Sequence, residues 1–207
     1  MSALIEKSIY ESITKVKGKR KLEVNEPSFN HNTIEYLNFA LKNNELSSVG
    51  KYTSKFEEKI KKYCKSKYCL ATNSGTSALH LALKGFGIGV SDEVLVPSLT
   101  FAGTVNAIKY CNANPHFVDS NINTNLGIDT YKLENYLNEN FYFDRRKRLK
   151  NKDTNNFVKA IICVHVYGFP SSIIHLKKIA KKYKLYLIED AAEALGSKYK
   201  NKKLGTI

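Results

Sequence analysis

The chain has no tryptophan, a single methionine and only four prolines in 207 residues. So little proline excludes a Pro-rich linker or polyproline segment. Its four cysteines, Cys64, Cys69, Cys111 and Cys163, are scattered, and no two have the two-residue spacing of a zinc or thiol-redox motif. No metal site is expected, and Cys69 and Cys163, set in apolar runs, read as reduced core thiols. Long apolar runs are also missing: nothing approaches the ~18 residues of a membrane span. Residues 1–19 lack the apolar stretch of a signal peptide. A cytoplasmic protein with no membrane partner is expected.

Acidic residues are scarce as well. There are 19 Asp+Glu against 33 Lys+Arg, a net charge of +14. Such an excess invites a nucleic-acid reading. The positive charge is spread out, however, except in Asp144-Arg-Arg-Lys-Arg-Leu-Lys-Asn-Lys-Asp153, where no aromatic-bearing recognition motif accompanies it. That run reads as a solvated surface loop, nucleic acid is not expected, and the basic surface suits an anionic substrate such as a nucleotide-sugar.

What is present is a core and a rhythm. With 43% apolar residues the chain can bury a sizeable interior. Residues 1–30 are weakly patterned and read as an N-terminal segment; 31–207 read as one domain. Asn32-x-x-Glu35 and Ser54-x-x-Glu57 resemble capping boxes that open two helices. From residue 68 onward, strands at Tyr68–Ala71, Glu93–Val96, His116–Val118, Val158–Val164 and Leu185–Ile188 alternate with helices at Thr76–Leu83, Phe101–Tyr110, Tyr131–Leu137 and Ile173–Tyr183. Apolar strands alternating with helices imply an α/β fold, a mostly parallel sheet covered on both faces in three layers.

Four segments carry chemistry. Leu185–Ile188 delivers Glu189 and Asp190 to a strand's carboxyl end, where open α/β sheets bind ligands. Asp190 there is either a turn or cap residue or the partner of a buried cation, such as the pyridinium nitrogen of pyridoxal phosphate (PLP). Thr72-Asn-Ser-Gly-Thr-Ser-Ala-Leu-His80 is a strand, a turn of small residues and a helix start, suited to a phosphate or to nothing beyond a capped helix. It is not a P-loop, since Gly-Lys-Ser/Thr is missing. Phe101, at a strand-to-helix junction, is either core or a ring to stack on a planar cofactor. His165 ends an apolar strand and is either a satisfied strand-end histidine or a site residue; a strand end on the same face as that of Asp190 favours the site.

Taken together, Ser74-Gly-Thr-Ser-Ala-Leu-His-Leu-Ala-Leu, Asp92-Glu-Val-Leu-Val-Pro-Ser-Leu-Thr-Phe, Phe117-Val-Asp, His165-Val-Tyr-Gly-Phe-Pro and Glu189-Asp-Ala-Ala-Glu-Ala-Leu-Gly-Ser resemble, in order and spacing, the DegT/DnrJ/EryC1/StrS aminotransferases. The resemblance runs from about residue 25 onward. Ser47-Ser-Val-Gly-Lys-Tyr52, the polar insert near 144–156 and Asn73-Ser-Gly-Thr look most like the bacillosamine and legionaminic acid branch.

The resemblance implies the large domain of a fold-type I PLP transferase. It implies an enzyme moving an amino group from a donor such as glutamate to a nucleotide-linked 4-keto-6-deoxy sugar for surface glycan synthesis, working as a homodimer. Carried over, Gly75 and Thr76 hold the PLP phosphate, Phe101 covers its ring, Asp190 pairs with its nitrogen and Glu193 lies near its hydroxyl. Ser48 and Tyr52 lie toward the sugar or the partner subunit, and His165 is counted with them on the substrate side. The family's Schiff-base lysine follows shortly after the Gly-Thr that is here Gly205-Thr206. Residues 1–207 therefore resemble a truncated, N-terminal half with no catalytic lysine, inactive alone. Two other readings stay open: a lysine-less sugar dehydratase relative, and a non-catalytic basic binding domain.

Overall fold

The computed structural model describes residues 2–18, 27–45 and 50–207. The chain divides into two compact units, Met1–Tyr52 and Thr53–Ile207, so the boundary falls near residue 52 rather than 30. In the first unit, α1 (Ser2–Lys17) and α2 (His31–Lys42) are helices. The weakly patterned N-terminal segment is thus helical over most of its length. α2 is capped by Asn30, whose side chain accepts from Thr33 N–H at 3.1 Å, so the cap lies two residues before the Asn32 expected from the box pattern. Within this unit Tyr52 packs on Tyr36 and Phe39, with ring centroids 5.8 and 5.9 Å apart.

α3 (Lys51–Cys64) begins at the unit boundary and runs on into the second unit. Ser54 and Glu57 lie inside it rather than at its start, and Glu57 is used otherwise: its carboxylate accepts from Ala71 N–H at 2.8 Å. That bond steadies Tyr68–Ala71, which is not a strand here. No neighbouring strand among the described residues pairs with it, and Tyr68 and Leu70 stay exposed.

The second unit continues as α4 (Gly75–Gly85), β1 (Asp92–Pro97), α5 (Ala102–Tyr110), β2 (Asn114–Val118), α6 (Thr130–Asn140), β3 (Phe141–Phe143), β4 (Leu149–Asn151), β5 (Phe157–Val164), α7 (Ile173–Tyr183) and β6 (Tyr186–Asp190). A two-stranded hairpin, β7 (Lys198–Tyr199) and β8 (Lys202–Lys203), follows. The strands β2-β1-β5-β6 are parallel neighbours in that order. The β3–β4 hairpin joins β5 antiparallel through Lys150 and Phe157. The basic run therefore forms a hairpin turn and a strand, not a bare loop. Asp144 accepts from Arg146 and Arg148 N–H, both at 2.9 Å, and from the Arg148 guanidinium at 2.7 Å, which closes the turn.

Side-chain alternation along the strands sorts two cores. Leu95, Ile161 and Cys163 face α6 and α7, packing on Leu133, Leu137, Leu176 and Ile179. Val94, Val96, Ala160 and Ile162 face α4 and α5, packing on Leu79, Leu83, Ala107 and Ile108. Both sheet faces are covered, which is why these strands read as continuous apolar runs. The functional consequence is that β1, β5 and β6 end side by side, and their loops meet the start of α4.

Candidate active site

At those strand ends lies a cleft of about 570 Å³. Gly75, Thr76, Phe101, His165, Asp190 and Glu193, six of the candidates, all line it. Ser48 lies outside the described residues. Tyr52 belongs to the first unit, and desolvation, Glu45 and Tyr36 together make its phenol harder to ionise.

One pole of the cleft is the start of α4. Ser74 is its N-cap, the hydroxyl accepting from Ser77 N–H at 3.1 Å. The first-turn N–H groups of Gly75 and Thr76 have no helical acceptor, and the helix dipole favours an anion there. Gly103 lets α5 close against this corner: a Cβ on it would sit 2.6 Å from Thr76 Oγ1 and 3.0 Å from the Phe101 ring. Any larger residue would push apart the turn and the ring.

The floor is Asp190. Its Oδ2 accepts from Thr104 Oγ1 at 2.7 Å, and Thr104 Oγ1 accepts from Thr100 at 2.9 Å. Its Oδ1 takes Ala192 N–H at 3.3 Å, so the turn reading of this residue also holds. Thr104 is 2% exposed. A half-buried carboxylate anchored by a buried hydroxyl keeps lone pairs to offer a cation in the cleft. Thr104 was not among the sequence candidates. The signal was there in Thr100 and Thr104, four apart at a helix start.

Phe101 is 81% exposed although it borders the cleft. It is not core; its face is open to a planar group. The cleft thus offers an anion-binding helix end, an open aromatic face and an anchored carboxylate, and this set fits PLP's phosphate, ring and pyridinium nitrogen.

His165 differs from its expected place. The residue lines the cleft, but its ring is buried and both nitrogens are committed within the protein. Ser171 N–H donates to Nδ1 at 3.2 Å, which leaves the proton on Nε2, 3.1 Å from Glu189 Oε2. The ring is a strut and has no free edge for a substrate. Glu189 also accepts from Gly205 N–H at 2.8 Å and Ile207 N–H at 2.7 Å. Burial opposes its ionisation, yet His165 and the two backbone donors outweigh this and hold the carboxyl below the usual carboxylate range. Glu189 and Asp190 face opposite ways, as neighbours on a strand must. One ties down residues 205–207 while the other meets the cleft.

Glu193 is likewise partly committed. Its Oε2 accepts from Tyr167 N–H at 2.7 Å. Tyr167 has φ 53° and ψ 26°, left-handed for a bulky residue, which costs on the order of 1–2 kcal/mol. The next residue, Gly168, has φ 76°, and a Cβ there would lie 2.8 Å from the Glu193 carbonyl. Gly168→Ala should therefore melt roughly 2–8 °C below the parent, from about 1–2 kcal/mol of backbone strain with the contact adding to it. Calorimetry checks this, and an unchanged melt would show that the turn relaxes freely.

The sequence model of the DegT/DnrJ/EryC1/StrS aminotransferase family matches residues 27–207. The chain belongs to this family. A GDP-perosamine synthase of Escherichia coli O157:H7 is 40% identical over 185 residues, 89% of this chain and 46% of that protein. EpsN of Bacillus subtilis, named a putative pyridoxal phosphate-dependent aminotransferase, is 32% identical over 187 residues, 90% of this chain and 45% of that one. Among solved structures, a DegT/DnrJ/EryC1/StrS aminotransferase from Brucella abortus superposes with a TM-score of 0.73 at 28% identity, covering 83% of this chain and 43% of that one. The chain spans about half the length of the curated relatives it matches. The family is PLP-dependent.

Among the described residues, no helix is long and apolar enough to cross a membrane. No group of three or more metal-ligating side chains occurs among them either.

Proposed function

We propose that this chain is the cofactor-holding part of a PLP-dependent sugar aminotransferase, a protein that moves an amino group from glutamate to a nucleotide-linked 4-keto-6-deoxy sugar and works as a homodimer. The observation that carries the reading is Asp190, anchored by Thr104 at the end of β6 in a cleft that also contains the start of α4.

In this reading Gly75 and Thr76 donate N–H groups to the phosphate, with Ser74 fixing the turn. Phe101 lies on the ring. Asp190 keeps a proton on the ring nitrogen, because a carboxylate beside that nitrogen favours its charged form. Glu193 has one carboxylate oxygen on Tyr167, so the other is the one left for the cofactor's hydroxyl. When bound, PLP supplies an electron sink for carbanion chemistry at the amino-bearing carbon. His165, Glu189 and Ser171 stay out of contact and hold the β5 and β6 ends in register.

Binding of PLP by the purified chain tests this reading. A change in the cofactor's absorbance that saturates with protein is expected, and its absence would reject the assignment. A second expected outcome concerns turnover. No lysine lines the cleft among the described residues. Incubated with PLP, glutamate and a UDP-4-keto-6-deoxy sugar, the polypeptide 1–207 is expected to make no aminated sugar, as read by mass spectrometry. Product formation would mean that one of its own lysines reaches the cofactor.

A further inference from the structure

Two large apolar or aromatic residues among those described adopt a left-handed backbone, Leu126 with φ 61° and Tyr167 with φ 53°. They differ in what offsets the strain. Leu126 packs against the core on the α4–α5 side. Tyr167 remains 75% exposed, so burial of its ring compensates little.

The surrounding structure nevertheless enforces the conformation three times over. Glu193 holds the Tyr167 N–H. Gly168 turns back with a positive φ at a place with no room for a side chain, and its N–H closes on the His165 carbonyl at 3.0 Å. Beneath the turn, His165 is pinned between Ser171 and Glu189. A strained residue persists only where its surroundings over-determine it, and such residues cluster at ligand sites. Here the result is a well-exposed tyrosine that lines the same cleft as Phe101 and Asp190.

We propose that Tyr167 is a substrate-contacting residue, held in its left-handed turn so that its ring and hydroxyl meet the pyranose of the nucleotide-linked sugar. This rests on the function proposed above. The cofactor's phosphate, ring face and nitrogen already have partners in α4, Phe101 and Asp190, all from other loops. A tyrosine supplies what a sugar needs: an apolar face for its C–H groups and a hydroxyl for its own hydroxyls. Glu193 then acts as a positioning residue as well, since it couples the cofactor side of the cleft to the Tyr167 turn.

The test uses the full chain with PLP, and GDP-mannose and GDP as probes, titrated by calorimetry. Tyr167→Ala is expected to weaken GDP-mannose about tenfold and to leave GDP within about twofold. Tyr167→Gly is expected to melt at or above the parent, because glycine adopts this backbone freely. A lower melt for the glycine variant would make Tyr167 a structural residue and overturn the proposal. Equal weakening of GDP and GDP-mannose would place the ring on the nucleotide and overturn it too. Loss of a dimer on size-exclusion in Tyr167→Ala would make it an interface residue, with the same consequence. A parent that binds PLP but neither GDP-mannose nor UDP-glucose would reject the nucleotide-sugar reading itself, and this assignment with it; where only UDP-glucose binds, UDP-glucose and UDP replace the GDP pair in the same comparison. Unchanged GDP-mannose affinity in Tyr167→Ala rejects the assignment alone.

Discussion

Asp190→Ala is expected to weaken PLP binding by roughly 10- to 150-fold. The estimate follows from losing one charge-assisted contact in a sheltered site, about 1.5–3 kcal/mol, at about 1.4 kcal/mol per tenfold. Removing the carboxylate also leaves Thr104 without the acceptor it reaches at 2.7 Å. Asp190→Asn separates the two effects. The amide keeps an oxygen for Thr104 but loses the charge, so the fold should hold while affinity falls nearly as far. Thr76→Ala at the opposite pole should cost less, because the α4 backbone N–H groups remain for the phosphate. Fluorescence titration of the three variants against the parent decides it. Unchanged affinity in both Asp190 variants would remove the central support for the cofactor assignment.

How much of this was legible depends on which force placed each residue. β1, β5 and α7 were readable because burial placed them. Val94, Val96, Ile161 and Ile162 are fully buried, so selection for apolar side chains is written into the string. The β3–β4 hairpin was not readable. Arg148 and Lys150 lie 4.0 and 4.8 Å from the Phe157 ring centroid, so cations cover the aromatic that a strand pattern would have shown. Tyr68–Ala71 carried strand-forming residues, but a strand needs a neighbour, and propensity does not reveal whether one is there.

At the cleft, the sequence pointed to the residues more securely than to their roles. Asp190, Phe101 and the 74–77 turn could be placed from strand ends and helix starts. That His165 is a strut followed only from the positions of Ser171 and Glu189, six and twenty-four residues away. The left-handed Tyr167 left no trace beyond the glycine after it.

The largest effect on stability is expected far from the cleft. Glu93, near the start of β1, is 2% exposed and is surrounded by four donors from three other segments. His116 Nδ1 lies 2.8 Å from Oε2 and Asn151 Nδ2 3.0 Å from it; Thr154 and Asn156 reach Oε1. The His116 ring in turn meets Tyr136 and Phe141. This one carboxylate therefore ties together β1, β2, β4 and the loop after β4 at the amino end of the sheet. Glu93→Leu keeps most of the volume, so its cost reports the polar network and not a cavity. Stripping these donors of their buried acceptor should cost about 3–5 kcal/mol and lower the melting temperature by roughly 6–20 °C. The effect should depend on pH. Burial opposes ionisation of Glu93, but the bonds from His116, Asn151 and Thr154 outweigh it and hold its pKa down at about 2, against an ordinary 4.5. A carboxyl whose pKa is lower folded than unfolded stabilises the fold above the unfolded value and loses that contribution as pH falls. The gap between parent and Glu93→Leu should accordingly be full at pH 7 and shrink as pH drops from about 4.5 toward about 2. Thermal melts of both proteins across that range measure it. A gap that stays constant with pH would mean that the network holds Glu93 as a neutral acid, and that the sheet's amino end does not depend on its charge.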